Sequence, residues 1–413
     1  MSSDDSARTR LRLLALGLLA YVVIMTLSLI KNDQLDFYIY RLGAVIALEG
    51  RSPYDTELIH SIVRERYPPE DEDSFANNCG FFLTPQAIVI FAPFAILPWI
   101  PAEIAWTILL SLCGLACGTL AYTFGRDPTK RGDGASWIAL AVLLNPVTLP
   151  ALVVGQTGLF LVGCLAAGQY CFEANRPRYG CFLWALIFFK PHLTLPFLLL
   201  AGILGGWRRV LGILLFTGLL HLFGGFIVRG TLGGSVLFLR EYLDYLGSAH
   251  KAVKFNLVAE NFQILSWNRL LVAVGGPAID LKVSMTIAGF AFWAVLAFLR
   301  SWKQKLDPAW LLAMTAVGTL CFAQVIAYEM IVLALLAPWI VQAFDRNERA
   351  SAWIVVGLLL FLLIPLQVLD QLANMLQLDE GSRGRTILKS HRCFAIVFLA
   401  IYLLNRGPKR VEL

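Results

Sequence analysis

Charge is what this sequence has least of. Only 15% of its 413 residues are Asp, Glu, Lys or Arg, against about 25% in an ordinary soluble domain. Hydrophobic residues make up 58%, and they gather in runs of membrane-crossing length, which points to a polytopic all-α membrane protein rather than a soluble enzyme. Metal-binding spacing is lacking too. There are five histidines and eight cysteines, with no CxxC and no His/Cys grouping, so no metal or other cofactor is called for. Cys113, Cys117, Cys164, Cys171 and Cys321 fall inside apolar runs, and only Cys79 is clearly in a long loop. That distribution implies no disulfide framework. No internal repeat is visible, which argues against a secondary transporter.

What is present is a series of apolar runs with basic residues between them. Leu13 to Ile30 follows Arg8, Arg10 and Arg12 and reads as a retained first span. Phe81 to Phe124 is broken by Pro85, Pro93, Pro98 and Pro101, which predicts a short helix to Pro98 and a full span from about Pro101. Further runs lie at about 135–152, 157–174, 180–190, 192–206, 209–228, 283–299, 308–326, 327–344, 351–370 and 391–405. The two that flank Lys190-Pro191-His192 are too short to cross ~30 Å of hydrocarbon untilted and predict a bent pair. With a cytoplasmic N-terminus, every short connection on that side carries at least two basic residues, from Arg126/Lys130/Arg131 to Arg406/Lys409/Arg410. The net charge of +6 therefore follows from topology and requires no nucleic-acid partner. The expectation is one integral-membrane domain over 1–413 with about twelve crossings. Long outer loops lie at 31–80 and 229–282, with a short one at 371–390.

The stretch Lys31 to Asp55 stands out. Phe37, Tyr40, Ala44, Val45 and Leu48 recur on one helical face, Gly50 suits the end, and Ser52-Pro53-Tyr54-Asp55 reads as a turn. Such a helix lies flat in the interface, its apolar face toward lipid or the spanning helices. Asp36 then sits at headgroup depth, as a helix cap or as a chemically active carboxylate. Asp33 and Tyr40 flank it as candidate substrate contacts.

The remaining polar residues of the outer face include Asn77, Asn78, Gln86, Gln156, Lys190, His192, His250, Lys251, Lys254, Glu260, Asn261, Tyr328 and Glu329. Ionisable groups at membrane depth are costly, so a one-sided collection of them marks a site. Lys190 emerges at the end of a short span, Pro191 frees a backbone carbonyl and His192 adds a donor, so the three suit a lipid phosphate. A snorkelling lysine beside a structural kink is the competing account. Gly155-Gln156-Thr157 reads as a turn between helices or as a substrate contact. Glu329 reads as an ion-pair partner for a cation such as Lys190 or as an acceptor for sugar hydroxyls. The segment 250–263 reads as a solvated amphipathic helix or as a clamp on an anionic headgroup.

Asp before Tyr-x-Tyr, an Ala-rich helix and Glu49-Gly-Arg-Ser-Pro-Tyr-Asp55 open an ordered set of motifs. Phe82-Leu-Thr-Pro85, Ala92-Pro-Phe-Ala-Ile-Leu-Pro98, Trp106, Gly155-Gln-Thr-Gly158, Tyr179-Gly180, Phe189-Lys-Pro191 and Gly206-Trp-Arg-Arg209 follow. Over residues 30–210 this set resembles the bacterial polyprenol-phosphate-mannose-dependent mannosyltransferases. The resemblance implies a C-type glycosyltransferase architecture with an outward-facing cavity in the bacterial plasma membrane. It implies a sugar donor, mannose, on a polyprenyl phosphate, and a glycolipid or glycan acceptor. Asp36 takes the general-base role by position, and Lys190 lies near the donor phosphate. Glu329 and the acidic insertion 70–73 depart from the family pattern. The chemistry stands apart from the family, because a phosphate leaving group needs only one base, cations and a lipid-facing groove. A single base opposite the leaving group implies inversion. A polysaccharide ligase using a polyprenyl-pyrophosphate-linked glycan is the rival enzyme, and a non-catalytic transporter the rival class. Reporter fusions test the topology. Those at Thr129, Asn175 and Asn347 should read cytoplasm, and those at Asp71 and Gly381 the outer face; an outward Thr129 inverts every later assignment.

Overall fold

The computed structural model describes residues 15–23, 25–26, 34–68, 79–123, 134–145, 147–252, 264–265, 267–276, 307–322, 325–379 and 382–406. Asp33, Asn77, Asn78, Lys254, Glu260, Asn261 and the run 283–299 lie outside them.

The described chain is helical apart from one two-residue antiparallel pairing, Ile264 with Ile326 and Leu265 with Val325. Its first ten labelled helices are α1 (Leu35–Leu48), α2 (Thr56–Arg66), α3 (Gln86–Ala95), α4 (Trp99–Thr123), α5 (Gly134–Leu144), α6 (Thr148–Val153), α7 (Gly158–Glu173), α8 (Pro177–Leu186), α9 (Pro191–Arg229) and α10 (Leu232–Ala252). Then come α11 (Trp267–Ala273), α12 (Pro308–Phe322), a 3-10 helix (Ala327–Leu336), α13 (Ala337–Asp345), α14 (Arg349–Leu362), α15 (Leu366–Met375), α16 (Arg383–Lys389) and α17 (His391–Arg406). Among the described residues, Trp99–Gly118 and Pro191–Arg229 are long and apolar enough to span a bilayer, and the bent pairs α14/α15 and α16/α17 bring the number to four. Gln86–Ala95, Gly158–Glu173, Pro177–Phe189 and Pro308–Cys321 are apolar but shorter. Sixteen residues of α7 give about 24 Å at 1.5 Å per residue, short of the ~30 Å core.

Contacts group the chain into two compact units. The first holds Met1–Gly114, Leu149–Thr194 and Trp207–Lys254; the second holds Leu115–Thr148, Leu195–Gly206 and Phe255–Leu413.

In the first unit α1 is the centre. Phe37, Ala44 and Ile46 are all but fully buried, and Tyr38, Ile39, Leu42 and Ala47 join them, so burial reaches nearly all round the helix. Burial thus extends beyond the one apolar face that periodicity predicts, and of the two settings expected for that face, lipid or the spanning helices, Phe37 takes the spanning helix α4. Phe37 stacks on Trp106 at 5.5 Å and meets Phe94 edge-on at 5.7 Å, so a stripe that reads as interfacial is in fact packed in protein. Arg41 crosses to the end of α3, where Nε donates to the Phe94 carbonyl at 3.0 Å and Nη2 reaches the Ala95 and Leu97 carbonyls. Those carbonyls are orphaned because α3 ends at Ala95, ahead of Pro98, and an apolar surround makes an unmet carbonyl costly. Gly50 at φ 75° closes the following turn. Asp55 then starts α2, its carboxylate accepting from Leu58 N at 3.1 Å. Phe81 to Phe124 divides as the prolines predict, into α3 and α4.

Helices α7 and α8 form a hairpin around two close approaches. A Cβ at Gly168 would fall 2.3 Å from Trp184 Cδ1, and one at Gly180 would fall 2.6 Å from the Phe172 ring. Small residues at such crossings let apolar helices touch where lipid offers no hydrophobic drive. The loop expected over 229–282 is helix as far as Ala252, and the rings of Phe238, Tyr242 and Tyr245 of α10 pack against Tyr54 with centroids 5.2–5.3 Å away.

In the second unit two expected spans are broken. The run 135–152 stops at Asn145, whose Oδ1 accepts from both Val147 N and Thr148 N at 2.9 Å. The run 351–370 bends by 80° between α14 and α15. Pro365 lacks an N–H and keeps Ile364 out of the helical region. Arg392 then donates to the freed Leu362 and Ile364 carbonyls, both at 3.2 Å.

Candidate active site

Asp36 lies in the first turn of α1, outside the spanning helices, and the neighbouring elements of the first unit decide what its side chain does. Its backbone N–H donates to the Val154 carbonyl at 3.0 Å, which ties the helix start to the turn between α6 and α7. Gln156, in that turn, donates from Nε2 to Asp36 Oδ2 and accepts at Oε1 from the Tyr40 hydroxyl at 3.3 Å. A single amide thus links the carboxylate to a tyrosine one turn further along the same helix. The N-cap position belongs to Gln34, which makes no side-chain cap bond, and the Asp36 carboxylate is engaged by Gln156. The capping account of Asp36 therefore finds no bond in this geometry.

The Gly155–Gln156 turn requires glycine. Gly155 has φ +72°, and a Cβ there would fall 2.5 Å from Phe37 Cβ and 3.0 Å from Gln34 Cβ. Trp106 Nε1 donates to the Gly155 carbonyl at 3.0 Å and holds the turn from below. Neither the turn nor the substrate-contact reading anticipated what Gln156 does, which is to orient the carboxylate.

Lys190 is buried, 7% exposed, at the break between the 3-10 turn Ile187–Phe189 and α9. The break comes where Lys190-Pro191-His192 predicts it. The carbonyls around it are nonetheless occupied, which corrects the expectation of one freed by Pro191. Gln86 Nε2 donates to Ala185 O at 3.1 Å and Leu186 O at 3.0 Å, Lys190 N to Ile187 O at 3.2 Å, and Thr84 N to Phe189 O at 3.4 Å. Gln86 is therefore a buried brace on the end of α8. The ammonium of Lys190 acts on Asp36. Burial pushes the Asp36 carboxyl up from its ordinary value, while the bond from Gln156 and the charge of Lys190 pull it back down. Burial dominates, leaving a carboxylate with more affinity for a proton than an exposed one.

His192 is half-buried in the first turn of α9. His250 and Lys251 end α10. Tyr328 and Glu329 open the 3-10 helix of the second unit, where Glu329 is buried at 5% exposure. Glu103 is a residue that the outer-face reading missed. It is 4% exposed in α4 and accepts from Gln34 N at 3.2 Å, close to Asp36 in the chain. A signal existed, since Glu103 is the one charged residue in the span Trp99–Gly118. Among the described residues no three of His, Cys, Asp and Glu gather as a metal site would require.

Gly155→Ala should lower stability by about 1–3 kcal/mol, the usual range for a strained backbone position. Turnover should fall as well, because relief requires moving Phe37 and the start of α1. Thermal unfolding and activity of the purified variant check both; an unaltered melting temperature contradicts the close packing of this turn.

A comparison with curated proteins returns no match. A family model, Glycosyltransferase family 87, matches residues 81–365. That span begins after α1 and takes in Glu103, Gln156, Lys190 and Glu329, and it runs further toward the C-terminus than the ordered motifs of residues 30–210. Because the match covers well over half of a helical, apolar chain of membrane character, the chain belongs to glycosyltransferase family 87.

Proposed function

We propose that the protein transfers a sugar, mannose, from a polyprenyl-phosphate donor to a glycolipid or glycan acceptor at the outer face of the bacterial plasma membrane. The observation that carries this reading is the Asp36–Gln156 pair with Lys190 acting on it. It supplies one proton acceptor and one cation, which is what displacement of a phosphate needs.

In this reading the acceptor hydroxyl oxygen attacks the anomeric carbon as the bond to the donor phosphate oxygen breaks. The hydroxyl proton passes to Asp36 and polyprenyl phosphate departs with the electron pair. Lys190 stabilises the charge that grows on the phosphate. The positive end of α9, which starts at Pro191, adds to that field. Attack opposite the leaving group inverts the anomeric centre. Tyr40 and Gln156 hold the carboxylate toward the acceptor, and burial keeps it basic enough to take the proton.

Asp36→Asn preserves shape and the Gln156 contact but cannot accept a proton. Turnover on a radiolabelled polyprenyl-phosphate sugar in purified, lipid-reconstituted protein should fall by ~10²–10⁴-fold, the usual worth of a positioned base. An active Asp36→Asn protein sinks the mechanism.

The pH profile offers a separate check. The base must be ionised, so the acid limb of kcat should lie above the ordinary carboxylate value of ~4. Lys190→Met removes the charge that favours ionisation and should move that limb to higher pH, besides lowering kcat. A limb that stays in place, or moves down, removes Lys190 from the neighbourhood of the base.

A further inference from the structure

Helix α4 presents three polar side chains to the candidate site from one face. Glu103, Trp106 and Thr107 stand at i, i+3 and i+4, so they line up along the helix and point the same way. All three are buried, at 4%, 0% and 6% exposure. Each is engaged with the two segments that hold Asp36. Glu103 Oε1 accepts from Gln34 N at 3.2 Å, and Thr107 Oγ1 accepts from Gln34 Nε2 at 2.9 Å. The same Gln34 amide donates to Leu152 O at 3.1 Å, at the end of α6. Trp106 Nε1 donates to Gly155 O at 3.0 Å, beside Gln156.

A carboxylate in a spanning helix is expensive to bury, and nothing in the transfer chemistry proposed above uses this one. Its position accounts for it. Gln34 is the N-cap of α1, where backbone N–H groups lack partners within the helix and the dipole is positive. A negative side chain from another element meets both needs at once.

We propose that Glu103 is a further positioning residue of this site, fixing the first turn of α1 through Gln34 and thereby the bearing of Asp36 on Gln156 and Lys190. Thr107 is its accessory on the same face. The inference rests on Asp36 being the proton acceptor, and the experiment separates the two claims.

Wild type, Glu103→Leu, Glu103→Gln, Thr107→Val and Asp36→Asn are purified in lipid and assayed with a radiolabelled polyprenyl-phosphate sugar. Glu103→Leu should lower kcat by ~10–100-fold with donor KM little changed, since a small misplacement of a reacting group costs that much. Glu103→Gln keeps an oxygen able to accept the Gln34 N–H and should recover to within about fivefold of wild type, the loss reflecting only charge against the helix dipole. Thr107→Val removes one hydrogen bond of the clamp and should lower kcat by about three- to tenfold. A residue needed only for folding would reduce yield and leave kcat per folded molecule unchanged in the leucine variant. That result overturns the proposal, as does a glutamine variant no better than leucine. If the leucine variant fails to fold, a Thr107→Val protein with wild-type kcat overturns it instead. Should Asp36→Asn retain full activity, the mechanism fails independently. The positioning claim then stands or falls on maleimide labelling of an Asp36→Cys protein, read by mass spectrometry of that peptide. Labelling should accelerate when Glu103→Leu is added, and an equal rate overturns the claim.

Discussion

The junction between the first turn of α1 and the Gly155–Gln156 turn is the contact on which the rest of the candidate site depends. The bonds that make it include those from Asp36 N to Val154 O and from Gln156 to the Asp36 carboxylate. Both require the backbones to approach closely. Only glycine at 155 permits that approach, because a methyl group there would overlap Phe37. Trp106 supports the junction twice, through its ring against Phe37 and through its N–H to the Gly155 carbonyl. An apolar contact and a polar one therefore enforce the same register, and in a dry surround the hydrogen bond has no water to compete with it.

The same economy governs the breaks in the helices. A chain this apolar cannot leave carbonyls unmet where proline or a turn interrupts the ladder. Four breaks among the described residues meet a dedicated side chain: Arg41 at the end of α3, Gln86 at the end of α8, Asn145 between α5 and α6, and Arg392 at the bend after α14. Several polar residues of this protein are thus spent on backbone groups. That explains why a polar residue near the outer face is an ambiguous signal: Gln86 and Gln156 look alike in sequence, yet one braces a helix end and the other grips a carboxylate.

Membership of glycosyltransferase family 87 places the chemistry in sugar transfer. Within the first unit Asp36 is a largely buried carboxylate gripped by Gln156, and not a surface one. Burial raises its proton affinity, while Lys190 keeps the ionised form accessible. Lys190 itself sits where α9 begins, so the cation and the positive helix end coincide.

Composition and proline spacing determined much by themselves. They gave the helical membrane character, the division of 81–124 into a short helix and a long one and the break at Lys190, because each depends on local chemistry. Periodicity left the cover of α1 open, since a stripe of Phe37, Tyr40 and Ala44 looks the same whether lipid or protein covers it. The bend in 351–370 was legible in Pro365 but hidden by a continuous apolar run. Only tertiary structure decided which polar groups meet. The pairing of Gln156 with Asp36 joins residues 120 apart, and that of Glu103 with Gln34 joins residues 69 apart. No local pattern encodes such distances; they follow from how buried helices must pack to satisfy one another's ends.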